Sequence, residues 1–270
     1  MKSAYLKYFT ILLLAAVAFQ GCSLFGRRYE KSINKVYTLN LADKDGIRFE
    51  SLNGKVKLFP SDDSLAHLNV NGKYFVRRKD LDKSDDNFIL KIDSSGKKIV
   101  ITEESLREIG LSNFHFGPMG NITYELYVPG YKPLEVNNTN SNMEISGTAG
   151  DLNVSVTNGN IKVTNPKGNT VIKVTNGKLT GMIDSLKGFD ADIINGKINL
   201  TVGKKFSGAV NCSTQNGSVK VSSGTFENVN MEKKNMFSGK TGTSESQLKL
   251  SVLNGSIRLS PEIQTDDDED

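Results

Sequence analysis

Leu152-Asn153-Val154-Ser155-Val156-Thr157-Asn158-Gly159-Asn160-Ile161-Lys162-Val163-Thr164 alternates apolar and polar side chains on both sides of an Asn-Gly pair. Period-two alternation is the signature of a strand with one buried and one wet face. The segment therefore reads as two short strands meeting at an Asn-Gly bend. The unit recurs: Asn-Gly stands at 53, 71, 158, 176, 195, 216 and 254, with spacings of 18, 19, 21 and 38 in the second half. The last spacing is twice 19, and Asn235 occupies its midpoint. Counting back 18 from Asn158 reaches Asn140, in the degenerate stretch Asn140-Ser141-Asn142-Met143-Glu144-Ile145. Two and four residues before the Asn come Val154/Val156, Ile172/Val174, Ala191/Ile193 and Leu250/Val252. Three and five residues after it come Ile161/Val163, Ile198/Leu200, Val219/Val221 and Ile257/Leu259.

Asn-Gly between alternating strands is also the signal of a β-hairpin. A run of hairpins here would make an open sheet of about 14 strands, and open sheets rarely exceed about 10. Its apolar face would need a covering layer, and no amphipathic helix is legible downstream of the N-terminal segment. Coiling the strands about an axis buries every apolar face at once. The expectation is an all-β, single-stranded β-solenoid, right-handed and β-helix-like, with coils of about 19 residues. An antiparallel β-meander or sandwich is the alternative. Stacked coils would place Asn158, Asn176, Asn195, Asn216 and Asn254 above one another, free to hydrogen-bond along the stack. Gly159, Gly177, Gly196, Gly217 and Gly255 would supply the bend.

The first half is less regular. Ile47 to Leu58, around Asn53-Gly54, fits one unit, whereas Asn71-Gly72 fits the spacing but not the apolar parity. Strands are expected over Phe88–Ile92, Lys98–Thr102 and Ile122–Val128, with a protruding loop over 110–121 and the regular array beginning at Leu134. Val128-Pro129, then Leu134-Glu135-Val136, then the repeated Asn-Gly-x-Ile-x-Val resemble the bacterial putative-adhesin β-strand-repeat family over roughly 36–260. The resemblance implies the repeat fold and an envelope location, and no catalytic or ligand residues come with it.

The N-terminus carries Lys2 and Lys7, no acid, and an apolar run from Tyr8 to Phe19. Twelve residues are too few to span a bilayer, which takes about 20, so the segment reads as a secretory signal peptide. Its exit, Phe19-Gln20-Gly21-Cys22, looks like a lipobox, although cleavage after Ala16-Val17-Ala18 is a rival reading. The expected organisation is a removed lipoprotein signal peptide at 1–21 and a linker anchored through acylated Cys22 at 22–35. A β-strand-repeat domain at 36–260 and an acidic disordered tail at 261–270 follow.

Composition excludes several classes. A net charge of +4 is too mild to call for nucleic acid as a partner. Two cysteines and two histidines cannot build a Cys₄ metal site or a disulfide framework. The 26 asparagines and 25 glycines mark a chain that turns often.

Candidate chemistry is thin. Gly239-Lys240-Thr241 lacks the glycine five positions earlier that a phosphate loop needs, since position 234 is Lys. Asp80 to Asp86 lacks the Gly and Glu of a calcium loop. His67 and His115 lie far apart, and Cys212 takes the place of a core aliphatic. No Gly-x-Ser-x-Gly elbow occurs. No metal, cofactor or catalytic residue is expected. The expected protein is a non-enzymatic cell-envelope lipoprotein, held to the membrane by its lipid. It would present a lysine-rich face (Lys162, Lys178, Lys197, Lys220) to an unknown protein or glycan ligand for adhesion or scaffolding. An envelope-stress sensing or regulator-binding module is the alternative, and a polysaccharide-active β-helix enzyme the third reading.

Overall fold

The computed structural model describes residues 28–77, 90–103, 120–222 and 226–262. They form β1 (Arg28–Asn40), β2 (Gly46–Ser61), β3 (Leu65–Arg77), β4 (Leu90–Asp93), β5 (Lys98–Glu103), β6 (Gly120–Pro129), β7 (Leu134–Ser146), β8 (Leu152–Thr164), β9 (Asn169–Ile183), β10 (Gly188–Val202), β11 (Gly208–Val221), β12 (Asn228–Lys233), β13 (Met236–Thr241) and β14 (Gln247–Pro261). The chain is all-β. The strands make one mixed sheet, not closed into a barrel, in the order β1-β3-β6-β2-β7-β8-β9-β10-β14-β11-β13-β12, with β4 and β5 beside β2.

The centre of this order, from β2 to β11, is parallel and in register, Asn on Asn and Gly on Gly in the later strands. A straight 13-residue strand spans about 43 Å. The four or five residues joining one strand to the next reach only about 20 Å. Each strand must therefore fold back within its own length. The pairing shows where: the residue before each Asn is the one without a register partner, namely Leu52, Thr139, Thr157, Thr175, Ile194, Leu253 and Gln215. The bend thus sits one position ahead of the Asn-Gly pair, not on it. Antiparallel pairing occurs only towards the two ends, between β1, β3 and β6, between β4 and β5, and between β11, β13 and β12.

Alternation decides the core. On β8, Leu152, Val154, Val156, Ile161 and Val163 are 0–3% exposed, and the side chains between them face solvent. The same inward row continues through Ile172, Leu179, Ala191, Ile198, Leu250 and Ile257. Cys212 sits in that row, 3% exposed, and burial pushes its thiol up to about 12.

Two expectations are corrected. Asn235 is not a corner of the array: it lies in the turn between β12 and β13, where its carbonyl accepts from the Thr214 amide at 2.9 Å. The spacing of 38 has another cause. C-terminal β14 inserts between β10 and β11, so Asn254 stacks on Asn195 and Asn216 stacks on Asn254. Residues 28–35, expected in the linker, are strand, because β1 pairs with β3 along its whole length. Asn71 stands opposite Asn34 and Thr123 in antiparallel strands, outside the parallel array. Residues 104–119, which hold most of the expected protruding loop and His115, lie outside the described residues, as do Phe88, Asp80 to Asp86, the segment 1–27 with Cys22, and the tail from 263.

β5 and β6 together replace one unit of the array. β5 pairs with the first arm of β2 up to Glu50–Thr102, and β6 pairs with its second arm from Lys55–Thr123. Where β2 has Ser51 to Gly54, this unit has residues 103–122, an insertion at the corner. Tyr124, just beyond it, is fully buried, packs edge-on against Phe49 at 5.3 Å, and has a hydroxyl with no hydrogen-bond partner among the described residues. Leaving such a group unsatisfied costs about 1–3 kcal/mol. Tyr124→Phe keeps the ring contact and is expected to raise stability by about 1 kcal/mol, read from a urea midpoint at unchanged slope.

Candidate functional site

The asparagines form a continuous ladder. Each Nδ2 donates to the Oδ1 one strand on: Asn140 to Asn53 at 3.3 Å, Asn158 to Asn140 at 3.0 Å, Asn176 to Asn158 at 2.9 Å, Asn195 to Asn176 at 2.9 Å, Asn254 to Asn195 at 2.9 Å and Asn216 to Asn254 at 2.8 Å. All bonds run in one direction. The glycines beside them have a role other than the expected one. Of Gly159, Gly177, Gly196, Gly217 and Gly255, only Gly196 and Gly255 hold a positive φ, at 157° and 149°. At all five a Cβ would overlap the carbonyl oxygen of the residue stacked beside it, Ser141, Gly159, Gly177, Gly255 and Gly196 respectively. The requirement is close approach of backbones, with Cα–H groups against carbonyl oxygens.

Glu103 closes one end of the ladder. Its Oε2 accepts from the amides of Leu52 at 2.7 Å and Asn53 at 3.2 Å, in the place where the insertion interrupts the neighbouring strand. Burial raises the pKa of this carboxyl, against the lowering effect of the two amides. A carboxyl whose folded pKa exceeds its unfolded pKa binds more protons in the folded state, so its contribution to stability falls as pH rises between those two values. Glu103→Gln keeps an acceptor and removes the titration. Its stability relative to wild type is expected to improve from pH 4 to pH 7, and a flat difference across urea titrations at those pH values would refute the assignment. At the opposite end the turn of the β12–β13 hairpin plugs the edge: the Lys234 carbonyl accepts from the Val219 amide at 2.8 Å.

The bend ahead of each Asn has a consequence on the outer surface. Two rows of outward side chains flank it. Three positions before the Asn stand Glu50, Asn137, Ser155, Lys173 and Asp192, with Thr102 continuing the row on β5; one position before stand Leu52, Thr139, Thr157, Thr175 and Ile194. Between them runs a groove of about 790 Å³, which also touches Glu103. It crosses six strands from β5 to β10, about 24 Å at the usual strand spacing. Its walls combine hydroxyls and amides, three carboxylates and one ammonium with apolar surface from Leu52, Val156, Val174 and Ile194. Ser51 and Asn138 also line it. They hydrogen-bond to each other, are 4% and 5% exposed, and replace the aliphatics found at that position in β8, β9 and β10. The Oδ1 of Asn138 has no hydrogen-bond partner among the described residues.

The remaining candidates scatter. His67 lies on β3, with Nε2 3.0 Å from Asp63 Oδ2. Gly239-Lys240-Thr241 is part of strand β13, not a loop. Lys162, Lys178, Lys197 and Lys220 are exposed on the outer face of the second arms. Among the described residues no group of three or more His, Cys, Asp or Glu is placed to hold a metal ion, and no helix is long and apolar enough to cross a membrane. Glu103, the groove rows and Arg258 escaped the sequence reading. The rows could have been found by writing out the positions one and three before each Asn; nothing in the sequence marks Glu103 as the neighbour of Leu52.

No protein-family model and no curated protein matches the sequence. Solved structures match the chain over most of its length at low identity. One is a putative cell adhesion protein from Clostridium sporogenes, 13% identical, covering 86% of this chain and 100% of its own, with a TM-score of 0.49. A putative adhesin from Bacteroides fragilis is 10% identical and covers 85% of this chain and 97% of its own, with a TM-score of 0.41. A putative lipid binding protein from Parabacteroides distasonis is 14% identical over 85% of this chain and 97% of its own, with a TM-score of 0.28.

Proposed function

We propose that this protein is a non-enzymatic cell-envelope lipoprotein of the adhesion type, in which a β-solenoid holds out the groove as a ligand-binding surface. The observation that carries the reading is the groove itself, a continuous trough laid across six strands, five of which also share the asparagine ladder. A right-handed sense of coiling follows from the hand that twisted strands impose on parallel crossovers. Binding at such a surface needs a stiff support and many weak polar contacts, not a reacting group. Cys22 is the acylated first residue in this reading, with a short tether leading into β1. In this reading the molecule sits at the cell envelope, on an outer-membrane or surface-exposed face.

Two measurements test it. Cys22→Ala is expected to abolish lipid labelling and release the protein from the membrane fraction; unchanged fractionation with that substitution and with globomycin would remove the anchor. For the groove, purified protein is applied to immobilised mucin and to peptidoglycan. Binding to at least one is expected, weakened about tenfold, equivalent to 1.4 kcal/mol, by Thr157→Trp with Thr175→Trp. Binding to neither, or equal binding by the double variant, defeats the groove as the ligand surface. Release of reducing sugar would point to the enzyme reading instead.

A further inference from the structure

A second surface, on the other arm of the array, carries its own chemistry. Two and four residues after the Asn, the outward side chains of β10, β14 and β11 form two short rows. The first is Lys197, Ser256 and Ser218; the second is Asn199, Arg258 and Lys220. These six border a depression of about 230 Å³ in which no carboxylate takes part. Neighbours within a row lie about 4.8 Å apart across strands, and the two rows about 7 Å apart along them. Lys197, Arg258 and Lys220 are exposed, and none has an ion pair or hydrogen bond through its side chain among the described residues. Nearer β2 two cations of this face are paired, Lys55 with Glu144 at 2.9 Å and Lys57 with Glu125 at 2.7 Å. Hydrogen bonding to Lys55 holds the Glu144 carboxyl below its ordinary range, and Lys162 is close enough to add to that effect. The last acid in these rows is Glu144 of β7; β8 and β9 hold Lys162 and Lys178 there and no carboxylate. Three unpaired cations converging on one hollow are self-repelling, and an oxyanion relieves them.

We propose that Lys197, Arg258 and Lys220 form an anion-binding site for a sulfated or phosphorylated glycan. Three features select the ligand. The guanidinium of Arg258, central between the two lysines, has the planar fork that matches a tetrahedral oxyanion. Ser218, Ser256 and Asn199 interleave hydroxyl and amide groups that suit sugar hydroxyls. β14 is bonded on both sides, so it offers no free edge for a peptide strand. The site's place in the sheet argues for a polymer rather than the headgroups of the membrane that holds the anchor. β1, the strand nearest the tether, stands eight steps from β14 in the sheet order, about 38 Å away. The site is distinct from the groove, so either surface can fail its test alone.

The test compares Lys197→Gln/Arg258→Gln/Lys220→Gln with a control of equal charge change, Lys167→Gln/Lys187→Gln/Lys204→Gln, on exposed residues in the connections between strands. Because none of the three site cations has a side-chain partner, the site triple is expected to melt within about 2 °C of wild type. Binding to immobilised dextran sulfate, with neutral dextran as reference, is expected to fall at least about tenfold in the site triple and less than about twofold in the control. Added salt should erase the difference between wild type and the site triple. Equal loss in both triples, or none in either, overturns the site. Vesicles of phosphatidylglycerol are the second arm. Loss of vesicle binding in the site triple with dextran sulfate binding unchanged would overturn the glycan and assign the site to a lipid surface.

Discussion

Gly177→Ala is expected to destabilise the protein by about 3 kcal/mol or more, at the upper end of what overpacking costs. A Cβ there would overlap the Gly159 carbonyl oxygen, which is backbone and cannot rotate away. Relief requires β8 and β9 to separate, and both are fixed on their other sides by β7 and β10. The separation would also stretch the Asn176–Asn158 bond of the ladder, worth about 0.5–1.5 kcal/mol. Gly96→Ala is the matched control. A Cβ at Gly96 meets only the Lys98 carbonyl oxygen, at 3.9 Å, so the change should stay within about 0.5 kcal/mol. Urea midpoints of the two variants decide the matter. If Gly177→Ala unfolds at the wild-type midpoint, close backbone stacking is not the reason for glycine at this position.

Ending the chain at Glu245 is expected to abolish the native state, although β14 is the last strand. Leu248, Leu250, Val252, Ile257 and Leu259 are each 0–2% exposed. Burial of five aliphatic side chains at about 1.5–3 kcal/mol apiece contributes roughly 10 kcal/mol, as much as a whole domain's net stability. β10 and β11 would each lose their parallel neighbour on that side. The loss should be reversible in trans: a synthetic peptide covering 246–262 is expected to restore the far-ultraviolet strand signal and a cooperative melt. A truncated chain that melts like wild type would mean that β10 and β11 can pair directly. That outcome would also dissolve the Lys197–Arg258–Lys220 site, which exists only because β14 lies between its neighbours.

These two variants mark where the sequence could be read and where it could not. Spacing placed Asn140 in the series despite its degenerate surroundings, and the structure puts it between Asn53 and Asn158. The same arithmetic placed Asn235 there wrongly, because a spacing of twice 19 looks identical whether a unit is skipped or a distant strand intercalates. The Asn-Gly pairs were legible as a repeat, yet the reason for glycine was not. A bend and a close backbone approach select the same residue, and only the stacked neighbour tells them apart. Glu103 shows the same limit: it acts on Leu52 and Asn53, some fifty residues away.

What the sequence by itself determined is everything periodic. Alternation within each unit dictates which side chains are buried, because a strand can present only two faces and one of them is apolar. The repeat length dictates that the units stack. What the tertiary structure alone decided is neighbourhood: the insertion of β14, the cap supplied by Glu103, the position of the bend and the two surfaces that follow from it. The physical reason is that parallel stacking is nearly degenerate among similar units. Any Asn-Gly strand can pair with any other at comparable energy, so the order is set by the differences between them: connection length, the interrupted corner and the hairpin at the far edge. Those differences lie in the departures from the repeat, which are the features a periodic reading averages away.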